Sequence, residues 1–263
     1  NGIPEDLHTL VIAKPKEMFN TVELANIDQF LMYGGKLALF INQFDIDFQT
    51  QQTEPIHSGI TDLIEKYGLT VNKNIVVDQQ CGQVGITRNM GIFQMQTPVP
   101  YPPIPIISNF NKDHLISSDL ESAALMYANP VNNKGSNQKA KFTPLFSTTD
   151  KSDVLTEPFD LNPLSFENSQ YYNGPFDLAF AGEGIFPSYF GDHLPPDVES
   201  ARPFKAESDE TKMVVVGNGD FIIDQFLQNP NNPNLVMFLN IIDWLTSEEG
   251  KGLISIRSRE VTT

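Results

Sequence analysis

Among the residues able to do chemistry, Asp220 stands out first, at the end of the run "VVVGNGDFII" (214–223). Three valines meet a glycine turn that carries one acid. A dinucleotide fingerprint requires G-x-G-x-x-G at a strand-to-helix turn, but Ile222 holds the third glycine position. A P-loop ends in Gly-Lys-Ser/Thr, which is missing. Two readings stand. Either the glycines supply tight backbone geometry and Asp220 caps a helix starting near Phe221, or Asp220 lies at the carboxyl end of a parallel sheet, where open α/β folds bind ligands. Cys81 in "VVDQQCGQVG" lacks both glycines of a nucleophile elbow, and its downstream residues read as strand. None of His8, His57, His114 and His193 falls in a triad context, and no two have close metal-ligand spacing. "DID" (45–47) offers two carboxylates and no calcium-loop continuation, so it reads as a polar loop. In "FAGEGIFPSYFG" (180–191), Glu183 sits among glycines ahead of Phe186, Tyr189 and Phe190. This segment is either an exposed interaction surface or a loop folding its rings onto the core. His114 and Glu183 are the pair that folding would have to unite for a hydrolase.

Several elements must position these residues. "TLVIA" (9–13) reads as a buried strand. A helix follows from Val22, with Leu24, Ile27, Phe30 and Leu31 on its apolar face and Glu23, Asn26 and Asp28 pointing elsewhere. Gly34-Gly35 stops it, and "KLALFIN" (36–42) is a second strand. Such a crossover implies parallel pairing. The pattern recurs with a helix over 57–67, stopped by Gly68, and a strand over 74–78. The middle predicts strands around a turn at Asn89-Met90-Gly91, then a proline-rich stretch and two further strands joined by a polar loop. Long surface loops are expected near 130–140, 150–175 and 190–210. "MVVVG" (213–217) reads as a central strand. "NLVMFLNIIDWLT" (234–246) reads as a largely buried helix, with Leu235, Val236, Phe238, Leu239, Ile242 and Leu245 apolar and Trp244 beside them.

The chain has 263 residues, enough for one large core without staples. Its 33 acids against 17 bases leave a net charge of -16, which repels phosphate backbones and argues against a nucleic-acid partner. Lys134, Lys139 and Lys141 form the one dense basic cluster and read as a solvated loop. A single cysteine excludes an internal disulfide, and no apolar run approaches the ~18 residues that span a bilayer. The start at Asn1-Gly2 and the stop at "SREVTT" suggest a soluble piece excised from a longer membrane-anchored protein.

Taken in order, several stretches resemble one family, the gliding-motility-associated ABC-transporter auxiliary component of the GldG type. "NGIPEDLHTLVIAKPKE" is similar to its opening strand, and "IDQFLMYGGKLALFIN" to its helix, Gly-Gly and strand. Glu183, Gly184, Phe186 and Ser188 match its Glu-Gly-x-Phe-x-Ser segment. "VVVGNGDFI" and "FLNIIDWLTSEEGKGLISIRSRE" match its closing strand, helix and Ile-Arg-Ser tail. "DHLIS" (113–117) departs from its His-Pro-Ile-Thr at Leu115. The resemblance implies a flavodoxin-like α/β sandwich with a mostly parallel central sheet, akin to class I glutamine amidotransferases, plus an added β-rich middle segment. It implies one extracytoplasmic (periplasmic) domain, residues 1–263, without catalysis or cofactor. Its partners would be an ABC permease and ATPase, with the membrane reached by segments beyond this stretch. A small-molecule or glycan-binding module is the alternative, with Asn42 and Asp220 as ligand candidates at the strand ends. An unrecognised hydrolase using His114 and Glu183 is the second alternative.

Overall fold

The computed structural model describes residues 2–4, 6–90, 93–198, 202–222 and 232–247. Gly91 of the expected turn, Ile223 and the closing Ile-Arg-Ser stretch lie outside the described residues.

The opening crossover forms as its pattern requires. β1 (Thr9–Ala13) leads to α1 (Thr21–Met32) and returns in β2 (Lys36–Phe40), parallel to β1 with Thr9 opposite Lys36. α1 begins in a reciprocal capping box. Asn20 Oδ1 accepts from the Glu23 amide (3.0 Å), and Glu23 Oε2 accepts from the Asn20 amide (2.8 Å). It ends at Gly34, whose φ of 83° is the left-handed conformation the glycine pair predicts. β15 (Thr211–Val216) joins β2 in parallel, Met213 opposite Leu37.

Beyond β15 the sheet reverses. β14 (Asp177–Gly184) pairs antiparallel with β15 and with β12 (Ala140–Ser147), which pairs antiparallel with β9 (Asn109–Phe110). The six-stranded order is β1-β2-β15-β14-β12-β9. The expected mostly parallel sheet is therefore corrected to a mixed one, in which β1, β2 and β15 alone run together. The reason is local. Among the described residues, the connections between β12, β14 and β15 hold no α-helix to make the crossover that parallel pairing needs.

Alternation along β2 divides the core. Ala38 and Phe40 face a cluster closed by α3 (Pro233–Thr246) through Met237, Ile241, Trp244 and Leu245. Leu37, Leu39 and Ile41 face a second cluster under α1 and α2 (Ile60–Tyr67). The fully buried stripe of α3 is Asn234, Met237, Asn240, Ile241, Trp244 and Leu245, while Leu235, Val236, Phe238, Leu239 and Ile242 are half-buried. A helix with apolar residues all round leaves its orientation to be set by partners, here Asn234 and Asn240, which bond Ala124 and the Ile116 carbonyl.

The strand expected at 74–78 exists as β6 (Ile75–Asp78), but it pairs with β13 (Ser152–Leu155) in a separate ladder. The stretch 150–175, expected as loop, thus contains a strand and a 3-10 turn at Pro163–Phe166, and 130–140 contains β11 (Val131–Asn133), antiparallel to β5 (Leu69–Val71). β7 (Cys81–Met90) and β8 (Phe93–Ile107) form a hairpin, with β10 (Ala123–Ala124) on the far side of β8; the expected turn is corrected, since Asn89 and Met90 pair with Gln94 and Phe93 in the ladder, and the proline-rich stretch belongs to β8. A third cluster, with Tyr101, Tyr127 and Phe166, fills its base. β3 (Phe44–Ile46) and β4 (Thr53–Pro55) make a short hairpin after β2.

Candidate functional site

The three parallel strands end at one place, and the residues following each of them converge there. Lys14 follows β1, Asn42 follows β2, and Gly217–Asp220 follow β15. Asn42 Nδ2 donates to Asp220 Oδ2 (2.8 Å), and its Oδ1 accepts from the Gly219 amide (2.6 Å). The Lys14 ammonium lies 2.5 Å from Asp220 Oδ1 and 3.1 Å from Asp45 Oδ1, and Lys16 holds the other Asp45 oxygen at 2.6 Å. Burial opposes the charge on Lys14, but Asp220 and then Asp45 outweigh it and hold its pKa above the ordinary value. Burial likewise opposes charge on Asp45, yet Lys16 and Lys14 hold it below the usual carboxylate range. Lys14 itself sits at φ 40°, an unusual conformation for a side chain of its size.

The glycines explain how segments come so close. A Cβ on Gly217 would stand 1.9 Å from the Asn129 carbonyl oxygen, and one on Gly219 would stand 2.9 Å from the Phe40 oxygen and 3.0 Å from Lys14. A phosphate cradle needs free amides at such a turn. Here Gly217 donates to the Leu178 oxygen (2.9 Å), Gly219 to Asn42, and Phe221 to Asn218 Oδ1 (3.0 Å). The Asn218 side chain therefore takes the capping role expected of Asp220, at a 3-10 turn over Asp220–Ile222. Asp220 does not cap that turn, because Lys14 and Asn42 claim both its oxygens. Next to this corner an apolar pocket of about 300 Å³ is lined by Asp220, Ile104, Ala123, Met126, Phe221 and Asn234, among others.

His114 and Glu183 lie at the opposite end of the sheet. Glu183 stands across from Lys212 of β15 and Lys141 of β12, with Lys212 Nζ at 3.9 Å from its carboxylate. Lys212 also covers the Trp244 ring at 4.6 Å, and His114 packs on that ring with centroids 5.2 Å apart. Burial first, then the charges of Lys141 and Lys212, lower the His114 pKa to about 4. Its Nδ1 accepts from the Ile116 amide (3.2 Å). No hydrogen bond or ion pair among the described residues joins His114 to Glu183, so of the sequence candidates Asn42 and Asp220 are bonded to each other and His114 and Glu183 are not. Burial raises the Cys81 thiol pKa, with Asp78 adding to it, the wrong direction for a nucleophile.

The residue that sequence reasoning placed wrongly is Asp28. Expected off the apolar face of α1, it is fully buried. It accepts from the Tyr189 amide (2.7 Å), Ser188 Oγ (2.8 Å), Gln29 Nε2 (3.0 Å) and Tyr67 Oη (3.1 Å). Those donors decide the fate of 180–191. Phe186 turns inward against Tyr67 and Phe142, and the segment is pinned to α1. Burial outweighs the donors and raises the Asp28 pKa. A sequence signal existed, since Ser188 belongs to a matched motif, but its partner lay 160 residues away. The "DID" acids are structural too: Asp47 accepts from the Gln49 and Thr50 amides (2.8 Å each) in the β3–β4 turn. Lys134 pairs with Glu65, and Lys139 with Glu207, as a solvated surface would have them. Among the described residues no group of three or more His, Cys, Asp or Glu could hold a metal ion, and no helix is long and apolar enough to cross a membrane.

Fold and site together define an α/β domain whose strand-end corner is tied by its own ion pairs. The chain belongs to the family described as an ABC-type uncharacterized transport system, which matches residues 1–244. It is also similar to an uncharacterized protein of Borreliella burgdorferi, 25% identical over 267 residues. That alignment covers 98% of this chain and 48% of the relative, so the chain spans about half the relative's length. Among solved structures it resembles a chain titled "mmIFT52 N-terminal domain", with a TM-score of 0.49, 14% identity, and coverage of 92% of this chain and 78% of that one.

Proposed function

We propose that this chain is a non-catalytic auxiliary domain of an ABC transport system, acting at the extracytoplasmic face of the cytoplasmic membrane beside an ABC permease and ATPase. The GldG type, associated with gliding motility, is the subgroup proposed. Family membership supports the transport role. The observation that supports the non-catalytic reading is the closed corner: the Gly219 and Phe221 amides are taken by Asn42 and Asn218, and Asp220 is held by Lys14 and Asn42. The raised thiol pKa of Cys81 and the occupied Nδ1 of His114 point the same way. The test is affinity purification of the native protein from detergent-solubilised membranes, with companions identified by mass spectrometry. Co-purification of a permease and an ATPase is expected. Their repeated absence under mild extraction refutes the transporter role, and hydrolase activity abolished by Cys81→Ala refutes the non-catalytic one.

A second reading, a small-molecule-binding module, is favoured by the apolar pocket beside Asp220. Calorimetry against a library of small amphiphiles tests it, with Met126→Trp expected to fill the space and abolish any heat.

A further inference from the structure

The hairpin of β7 and β8 differs from the rest of the surface. From Gln79 to Asn111 the one charged side chain is Arg88, in a chain that carries 33 acids and a net charge of -16. Val84 and Val99 are buried at its base, whereas Gln83, Gly85, Thr87, Arg88, Gln94, Met95 and Gln96 are exposed. The hairpin therefore presents an acid-free, largely neutral strip on a strongly acidic molecule.

Proline fixes which backbone groups point outward. β8 carries Pro98 opposite Gly85 and Pro100 opposite Gln83. Proline has no N–H, so these are pairs that exchange no ladder bonds. The bonds between the strands then fall on the alternate pairs, Val84 with Val99, Ile86 with Thr97 and Arg88 with Met95. It follows that the N–H and C=O groups of Gln83, Gly85 and Thr87 point away from β8. β7 is the edge of its sheet and pairs with no other strand among the described residues. Sheet edges are ordinarily protected by charge or proline. β8 has its prolines, but the β7 edge has only Arg88, whose side chain is drawn aside to Glu167 at 2.7 Å.

We infer that the β7 edge is a self-association surface, on which a second copy of this chain adds antiparallel through Gln83, Gly85 and Thr87. The segment is self-complementary about Gly85. A two-fold axis there sets Gly85 opposite the second copy's Gly85, and Gln83 opposite its Thr87. All these residues direct backbone groups outward, so each pair exchanges both of its bonds. Arg88 falls opposite the second copy's Gly82, and no like charges meet. The charge pattern selects the occupant. Two copies of net charge -16 repel across ordinary surface, and an acid-free strip removes that repulsion where they touch. Salt, which screens the remaining repulsion, strengthens the contact. The inference is independent of the transporter reading.

Sedimentation equilibrium of the purified full chain, across protein concentration and at low and high salt, is the experiment. A monomer–dimer equilibrium tightened by salt is expected. Thr87→Pro deletes an outward amide without touching the β8 ladder, and Thr87→Glu places an acid on the strip. Each is expected to weaken the dimer by at least about tenfold, with circular dichroism and melting unchanged. Gln96→Lys, exposed on β8 and away from that edge, should leave the equilibrium as it was. Gly85→Cys in a Cys81→Ser background should yield a disulfide-linked dimer on oxidation. A monomer at every concentration and salt overturns the inference, as does a dimer indifferent to both Thr87 variants or one that Gly85→Cys does not cross-link.

Discussion

Replacing Asp28 by alanine is the sharpest test of how the 180–191 segment is held. The carboxylate is fully buried and receives four donors. Removing it does not strand them equally. Gln29 Nε2 also donates to the Lys205 oxygen at 3.0 Å, so one donor keeps a partner. The Tyr189 amide, the Tyr67 hydroxyl and the Ser188 hydroxyl proton lose their acceptor. At ~1–2 kcal/mol for each of the three stranded buried donors, the cost is about 3–6 kcal/mol. For a chain of this length, at about 2 °C per kcal/mol, that corresponds to a Tm lower by roughly 6–12 °C. Urea denaturation measures the loss, and hydrogen exchange localises it, since the Tyr189 amide should lose protection ahead of the β15 amides. Asp28→Asn keeps the shape and one acceptor oxygen and should cost about 1–2 kcal/mol. The pH dependence has a definite sign. Burial raises the folded-state pKa above its ordinary value of 3.8, so the stability this group contributes is fully present below 3.8 and is lost as pH rises through the raised value. The stability of the native chain relative to Asp28→Asn should therefore fall across that window. A cost below about 1 kcal/mol for Asp28→Ala, or a flat difference between the native chain and Asp28→Asn, would show that this carboxylate does not hold the segment.

The strand-end corner and the opposite sheet end give two further expectations. Asp220→Asn leaves the mostly buried Lys14 ammonium with Asp45 as its remaining charge partner and should cost about 1.5–3 kcal/mol. Adding Lys14→Met should return a good part of that cost, a coupling read by a double-mutant cycle in urea. Because Lys14 is held above 10.5, the stability it contributes is present below 10.5 and is lost as pH rises through the folded value, a loss that Lys14→Met should abolish. His114 should titrate near 4 by NMR. Because its folded-state value lies below 6.5, stability falls as pH drops from 6.5 towards 4 and the imidazole is forced to charge. His114→Gln should flatten that decline.

What the sequence disclosed followed the range of the interactions. The β1–α1–β2 crossover, α2 with its Gly68 stop, and β15 were legible because apolar spacing and glycine punctuation act over a few residues. The sheet's reversal was not, because antiparallel pairing of β12, β14 and β15 is decided by which edges meet, not by any one strand's composition. β6 is the clearest case. "NIVVD" has the composition of a central parallel strand, and burial on both faces does fit it, yet its ladder partner is β13, in a stretch whose acids and prolines read as loop. Asn42 and Asp220 were chosen for their place at the strand ends, and the structure brings them within 2.8 Å of each other. Their closure by Lys14 depended on a side chain from a third segment.

The position of Lys14 bears on function more than any motif does. In open α/β folds the carboxyl ends of parallel strands form a crevice because the loops there diverge. Here the loop after β1 sends an ammonium back across the ends of β2 and β15, and Gly219 lets the backbone close behind it. A ligand entering that corner would have to break the Asp220 and Asp45 pairs of the half-buried Lys14 ammonium, a cost of several kcal/mol. Recognition by this chain is more cheaply placed on surfaces that the fold leaves unsatisfied. Among the described residues the β7 edge has backbone groups that no strand pairs, and the pocket beside Asp220 has mostly apolar walls. Both can be engaged without breaking an ion pair, which suits the non-catalytic auxiliary role proposed above.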